Sequence, residues 1–490
     1  MSKNTHIIQK ITEWKVIIAI QVIASLLFVG FLFKLGALPI KYLMIIIVLV
    51  TLLSVGTLFL MKPNKNKNKG KVRNLIGKVI SILLSVLLLV GTLYVSQGDS
   101  VLSKITDANS QTTRISVVVM KDSSYQSLSD LKNETIEVNT SVDSEKMQEA
   151  IQALQKEESS IQTKSNDDFE NMADNLYDNK TKAIFVNEAY YAIMETKHEN
   201  FANETRVIWT YEIHEELDDL SKNVNVTDDV FTVYISGIDT TGKVSTVSRS
   251  DVNMLVTVNP KTKQILMTSI PRDYFVTLAN KGKKDKLTHA GIFGVANSVK
   301  TIEGFMDIDV NYYAKVNFTS LVTMVDALGG ITVDSPVSFT TRHGNYKIVK
   351  GANEMDGAKA LGFVRERYGL KGGDNDRVKN QQRVLTAMLK KMMSPAIITN
   401  YSSILNSIAG SFETNMSSAE ITALLQMQIN DMTSWDIHQI QLTGKGAMKT
   451  GGAMMPNRKL YYMIPDESSI SNAKSLIQKM INGEKITINE

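Results

Sequence analysis

Apolar and polar positions divide the chain into two unlike parts. Up to about residue 98, three long uncharged runs succeed one another; beyond it, short apolar stretches alternate with amphipathic ones. Residues 15–34, 42–61 and 75–96 each have the length that a helix needs to cross the hydrocarbon core of a bilayer. Lys78 falls inside the third run and has to sit near an interface or snorkel to it. A membrane anchor of three transmembrane helices is therefore expected over 1–98. A cleaved signal peptide is the weaker reading of the first run, since no small-residue cleavage site precedes a soluble region and two more helices come after it.

Basic residues near helix ends are retained on the cytoplasmic face. Between the second and third runs stand Lys62, Lys65, Lys67, Lys69, Lys71 and Arg73, whereas only Lys34 and Lys41 bound the first loop. The amino terminus, with Lys3, Lys10 and Lys15, then lies inside, and everything after about residue 96 lies outside. The protein is expected in the cell membrane, multi-pass, with a large extracellular region.

That region reads as two α/β units. Over 110–225, β-rich runs at 115–120, 135–138, 160–165, 182–187 and 206–213 alternate with helical stretches at 143–158 and 167–179. Strand then helix, repeated, predicts a small accessory domain with a largely parallel sheet. Its acidic residues Asp167, Asp168, Glu170 and Asp174 read as a solvated helix face. A polar stretch carrying Asp218, Asp219, Asn223 and Asp228 reads as a linker. Over 230–400, two strands joined around Asn259 and Pro260 and helices at 317–330 and 376–393 predict a mixed α/β domain, its central sheet flanked by helices. Residues 401–490 are expected to pack on it.

Composition narrows the classes. With 54 basic against 50 acidic residues there is no excess charge for coating nucleic acid. The absence of cysteine excludes disulfides, thiolate metal sites and cysteine nucleophiles.

Charged residues gather in the second unit where a core would exclude them. Arg249 and Asp251, two residues apart before a strand, point to one side of an extended segment. Pro271 ends the partner strand and exposes Arg272 and Asp273. Residues 362–368 alternate, which predicts a strand with Arg365 and Arg367 together and Glu366 opposite. Arg377 and Gln381, four apart, share a face near the start of the next helix, where free amides favour an anion. Arginines drawn to one locus form bidentate donors for phosphate oxygens, and Asp251 or Asp374 suits a divalent cation bridging them. Singly, each pair is an ordinary surface salt bridge, and Asp374 and Asp376 are ordinary cap residues.

The stretches VYISGIDT, SRSDVNMLVTVNP, SIPRDYFV, KLTHAGIFG, VNFTSLVTMVDALGGITV, GAKALGFVRERY and DNDRVKNQQRVLTAML resemble the LytR-CpsA-Psr family, specifically its CpsA-type capsule members of streptococcal type, over about residues 230 to 390. The resemblance implies a phosphotransferase that attaches capsular polysaccharide or another glycopolymer, carried on undecaprenyl pyrophosphate, to peptidoglycan, with Mg2+ (or Mn2+) assisting. It places Arg249, Arg365, Arg367, Arg377 and Gln381 at the pyrophosphate, Asp251 and Asp374 at the metal, and Arg272 and Asp273, with Asp251, in the catalytic region. Lys286 and Asp239 fall close by without a defined role. The lipid tail needs an apolar cleft, for which the helix around Phe318, Leu321, Met324, Val325 and Leu328 is a candidate; a plain core stripe explains it equally. Candidate partners are the lipid-linked glycan, the peptidoglycan acceptor, membrane lipid and other capsule-assembly proteins, with no nucleic acid. The alternative is a membrane-bound regulator or sensor that binds lipid-linked glycan without turnover.

Overall fold

In a computed structural model the described residues are 13–36, 38–62, 67–105, 110–217, 220–222, 224–238, 244–394 and 412–488. Asp218, Asp219, Asn223 and Asp239, with Lys3, Lys10 and Lys65 of the basic flanks, lie outside them.

Helices α1 (Trp14–Leu35), α2 (Ile40–Met61) and α3 (Lys67–Ile105) carry the three apolar runs, and the third span occupies Gly70–Ser96. Without a hydrophobic drive between helices in lipid, polar contacts hold such bundles. Gln21 supplies them. Its amide oxygen accepts from Thr57 on α2 at 2.8 Å and from Ser81 on α3, and its nitrogen donates to Ser54 at 3.4 Å.

The first unit beyond the anchor has strands β1 (Ser110–Met120), β2 (Thr135–Val138), β3 (Gln162–Ser165), β4 (Ile184–Asn187) and β5 (Thr205–Glu216) in the order β3-β2-β4-β1-β5. Helices α4 (Ser144–Glu157) and α5 (Phe169–Tyr177) pack on it. The expected largely parallel sheet is corrected here. β2 is parallel to β3 and β4, but β1 is antiparallel to both β4 and β5. The crossovers joining β2, β3 and β4 enforce parallel strands, whereas the long β1 inserts between β4 and β5 in the opposite sense. Asp168 caps α5, accepting from the Glu170 and Asn171 amides. Glu170 is buried instead of solvated and pairs with Arg458 of the second unit.

The second unit is built on strands β6 (Phe231–Ile238), β7 (Ser250–Asn259) and β8 (Gln264–Ile270), joined as an antiparallel meander. β9 (Phe275–Thr277) and β10 (Lys284–Lys286) form a hairpin, and β11 (Tyr312–Val316) pairs parallel with β6. β12 (Ile331–Ser335), β13 (Phe339–Thr340), β14 (Lys347–Ile348) and β15 (Gly351–Met355) make two small ribbons. Beyond residue 401, β16 (Phe412–Thr414) and β17 (Asp436–Gln441) enter the main sheet, ordered β16-β11-β6-β7-β8-β17, and β18 (Gly444–Lys449) with β19 (Leu460–Pro465) forms a further hairpin. The carboxyl-terminal stretch thus completes both edges of the sheet.

Every residue of β8 is buried, because both sheet faces are covered. Helices α6 (Val295–Met306) and α11 (Glu467–Ile481) cover one face, where Leu255, Leu266, Ile302 and Ile477 meet. Of the intervening helices α7 (Phe318–Ala327), α8 (Gly357–Arg365), α9 (Asp374–Met392) and α10 (Ser418–Asp431), α9 packs Leu385 and Leu389 against Met254 and Met267 on the other face. Val325 and Leu328 are buried between α8, α9 and β12, with Leu321 and Met324 packed against them, which makes them a core stripe. α10 crosses the end of the sheet remote from Ser250, packing Ile421 and Leu424 near Phe231 and Tyr312. It touches the anchor there: Gln426 donates to the Gly36 carbonyl and Lys41 donates to the Asn430 carbonyl.

Candidate active site

The opposite end of the sheet gathers the charges. In the β6–β7 ladder Ile238 pairs with Ser250 and Gly237 with Val252, so Asp251 is an extra, unpaired residue at a bulge. Bulges re-aim side chains beside functional sites. Asp251 meets Arg272, which comes next after Pro271 in the turn beyond β8. The Arg272 Nη1 donates to Asp251 Oδ2 at 2.7 Å, and the Thr288 hydroxyl donates to Oδ1 at 3.1 Å. Burial alone would raise the Asp251 pKa, but the guanidiniums of Arg272, Arg249 and Arg377 and the Thr288 hydroxyl hold it below the ordinary carboxylate value.

Arg272, Asp273, Lys286, Arg367, Tyr368, Gly373, Asp374 and Tyr461 line an open cleft of about 610 Å³. Lys286 pairs with Asp273 at 2.9 Å. Arg377, in the first turn of α9, lies 2.7 Å from Asp374 Oδ1, but at an angle that makes no hydrogen bond. Asp374 Oδ1 is therefore a buried acceptor and Arg377 Nε a buried donor, each without a hydrogen-bond partner among the described residues. Burial pulls the Arg377 pKa down, and Asp374 pulls against it. A site holding an orphan donor and an orphan acceptor side by side suits a ligand with anionic oxygens and a small cation between them.

Arg365 corrects the paired-arginine strand. Residues 357–365 are helical and Arg365 is the last residue of α8, its guanidinium 4.3 Å from the Phe318 ring centroid. Only Arg367 of the pair lines the cleft. The buried Glu366 arranges this by accepting from the Arg342, Arg367 and Gly369 amides, which folds the turn that presents Arg367 and Tyr368. Gln381 sits one helical turn beyond Arg377, and neither it nor Arg365 is part of the cleft wall. Among the described residues no three His, Asp or Glu side chains cluster as a metal site. Oxygens of a bound phosphate would have to complete the shell of a cation held by Asp251 or Asp374.

Thr288, Glu366, Tyr368 and Tyr461 are not among the residues expected at the site, although all but Tyr461 fall in blocks that resemble the family's. Tyr461 stands far along the chain from the other wall residues, in no distinctive local pattern. Thr288 falls in a block that resembles the family's, but its hydroxyl acquires a role only through Asp251.

The segment that carries Arg249 is held from outside its own sheet. Thr112 of β1 donates to the Ser245 carbonyl at 3.0 Å and accepts from the Val247 amide at 2.9 Å. The buried Lys315, pushed down to about 8 by burial, donates to the Thr246 carbonyl at 2.8 Å. Gly291 closes the other side: a Cβ there would lie 2.7 Å from the Ser250 nitrogen and 2.8 Å from the Ser248 carbonyl oxygen. Gly291→Ala is expected to shift Arg249, destabilising the fold by about 1–3 kcal/mol and raising KM for the phosphate ligand. Thermal unfolding and titration of the variant check both; unaltered values would show that the segment yields freely.

Two family models match. That of the DNA polymerase processivity factor covers residues 68–186, a quarter of the chain that starts in a membrane helix and stops inside β4. That of the LytR_cpsA_psr family covers residues 190–479. The chain is 30% identical over 277 residues to a protein of Enterococcus faecalis named polyisoprenyl-teichoic acid–peptidoglycan teichoic acid transferase TagU, covering 56% of this chain and 86% of that one. Its namesake from Bacillus licheniformis is 32% identical over 286 residues, 55% of this chain and 85% of that one. Among solved structures, B. subtilis TagV matches at 30% identity with a TM-score of 0.45, covering 53% of this chain and 99% of that one. TagT bound to LI-WTA matches at 29% with 0.44, covering 53% and 94%. With the family match spanning more than half of its length, and those relatives covered over most of theirs, this chain belongs to the LytR_cpsA_psr family.

Proposed function

We propose that this protein is a membrane-anchored phosphotransferase that moves a glycopolymer from a polyprenyl-pyrophosphate carrier onto peptidoglycan outside the membrane. The observation that carries the reading is that Arg272, Arg367 and Lys286 line one open cleft with Asp273 and Asp374, while Arg249, Arg377 and Asp251 lie beside Arg272 without forming part of the wall. Five cations against Asp251, Asp273 and Asp374 leave an excess of positive charge that matches a pyrophosphate. The names of its relatives, transferases of teichoic acid to peptidoglycan, support the same chemistry. Undecaprenol as the lipid, capsular polysaccharide as the cargo and a place in the streptococcal capsule branch are the finer forms of the proposal.

Phosphoryl transfer asks a protein chiefly for positioning and charge neutralisation. The guanidiniums of Arg367 and Arg377 hold the phosphate oxygens, and Arg272 is kept in place by Asp251. An acceptor hydroxyl attacks the sugar-proximal phosphorus; its bond to phosphorus forms as the bridging oxygen departs with polyprenyl phosphate. Asp273, in the cleft wall, takes the hydroxyl proton, since a guanidinium stays charged. When bound at Asp251 or Asp374, Mg2+ supplies further neutralisation of the phosphate oxygens.

Orientation is part of the proposal. The lysine-rich flank of α2 and α3 stays cytoplasmic, and three crossings place the catalytic unit outside. The contact of α10 with the loop after α1 supports it, because that loop lies on the same side.

The test uses the full-length protein in detergent with a polyprenyl-pyrophosphate-linked glycan, peptidoglycan fragments and Mg2+. Release of polyprenyl phosphate with glycan joined to the fragments is expected. Binding of the lipid without any release would instead support a sensor.

A further inference from the structure

Two hairpins stand over the cleft, β9–β10 and β18–β19, and they are sewn together. The Ala453 amide donates to the Lys284 carbonyl at 3.0 Å, the Met454 amide to the buried Asp285 carboxylate at 2.7 Å, and the rings of Phe275 and Tyr462 lie 4.6 Å apart. Both reach the site already described, through Lys286 and Tyr461 in the cleft wall.

Their charge is one-sided. Of the chain's 54 basic and 50 acidic residues, residues 275–286 and 444–465 hold eight and one, and the one, Asp285, is buried. Elsewhere acidic residues outnumber basic ones, so these two hairpins carry the whole positive balance of the protein. Lys286 and Arg458 are paired. The remaining six, Lys281, Lys283, Lys284, Lys445, Lys449 and Lys459, are exposed, and among the described residues none has a carboxylate within 4.0 Å. Lys284 and Lys449, from different hairpins, converge on one ring, 6.0 and 4.9 Å from the centroid of Phe275. Like charges gathered without a counter-ion repel one another, and a cluster kept in that state is complementary to an anion.

We propose that this twin-hairpin rim is a binding site for a polyanionic glycan, the chain of the carrier-linked polymer that leaves the cleft on its sugar side. The proposal rests on the phosphotransferase reading, and it specifies that the cargo bears repeated negative charge. The six-residue arm of β18 extends about 20 Å, long enough to meet several charged repeats. The membrane surface is the poorer occupant. The anchor touches α10, near Asp431, and Asp431 pairs with Lys263 at the far end of the sheet. β17 starts there and runs for six residues, about 20 Å, before the chain enters the β18–β19 hairpin.

The test compares full-length protein in neutral detergent with a variant carrying Lys283→Gln, Lys284→Gln, Lys445→Gln and Lys449→Gln. The probes are a soluble polyuronate, a neutral dextran of equal length, inorganic pyrophosphate with Mg2+, and phosphatidylglycerol vesicles. Polyuronate should bind the wild type with an affinity that falls as salt rises, and the variant about ten-fold or more weakly. Dextran should bind neither, and pyrophosphate should bind both alike, as the cleft residues are untouched. Equal polyuronate binding by the two proteins would overturn the inference, as would a variant defect confined to the vesicles. Loss of pyrophosphate binding by the wild type would instead strike at the phosphotransferase reading and leave the rim measurement standing.

Discussion

Asp251→Asn is expected to cut transfer by about 10²–10³-fold, the scale of losing one group aimed at transition-state charge, while KM for the carrier stays level or falls. Asparagine keeps the shape and can still accept from the Thr288 hydroxyl, but it carries no charge to face Arg272 at 2.7 Å. Arg272, Arg249 and Arg377 then repel one another without their shared counter-ion. Breaking a largely buried ion pair from one side costs about 3–5 kcal/mol, so the thermal midpoint should drop as well. The kcat and KM pattern separates the two effects, because a cleft richer in positive charge binds the anionic ground state at least as well as before.

The same substitution has a pH signature. The folded pKa of Asp251 is lowered, so its contribution to stability is fully present above the unfolded value near 3.9 and is lost as pH falls through the folded one. The stability difference between wild type and Asp251→Asn should therefore close progressively below about pH 4. A gap that stays constant down to the acid transition would mean that the carboxylate has no special partners. Turnover equal to the wild type would remove Asp251 from the mechanism.

Arg377→Ala should raise KM for the lipid carrier and lower kcat together, by about 10² or more in kcat/KM. The guanidinium stands in the first turn of α9, where the helix amides already favour anions, and its side chain is only 14% exposed. Its removal leaves Asp374 as an uncompensated carboxylate at the point where the phosphates bind. Arg377→Lys is the discriminating variant. Lysine restores the charge but lacks the planar fork, so it should recover only a small part of the loss. Full recovery would show that Arg377 acts as a point charge and that the bidentate arrangement is irrelevant.

How much of the molecule is legible in its sequence varies with the range of the physics involved. The membrane helices are plain, since eighteen or so uncharged residues have few other uses. The meander of β6 to β8 is readable from alternation and the turn at Asn259 and Pro260, and Pro271 marks where Arg272 and Asp273 emerge. The stretch around Arg365 misleads. Its last seven residues alternate, but Ala360, Phe363 and Val364 recur at helical spacing and bury one face of α8 in the core with Val384 and Met388. A seven-residue window does not separate the two periods. The pairing of β1 between β4 and β5 is hidden for a different reason: alternation of strand and helix records the order of elements along the chain, and neighbours in a sheet need not be neighbours in that order.

By itself, the sequence determined most of the elements, the anchor and the residue types from which a phosphate site is made, because these depend on local period, length and charge. Only the tertiary structure decided which of them meet. It turned Asp251 inward at a bulge, brought Thr288 to that carboxylate and Tyr461 to the cleft wall beside Arg272 and Arg367, set Arg365 aside on Phe318, and ran β1 of the first unit against the segment that bears Arg249. Those outcomes depend on hydrogen-bond register and the packing of distant surfaces, which no local pattern encodes.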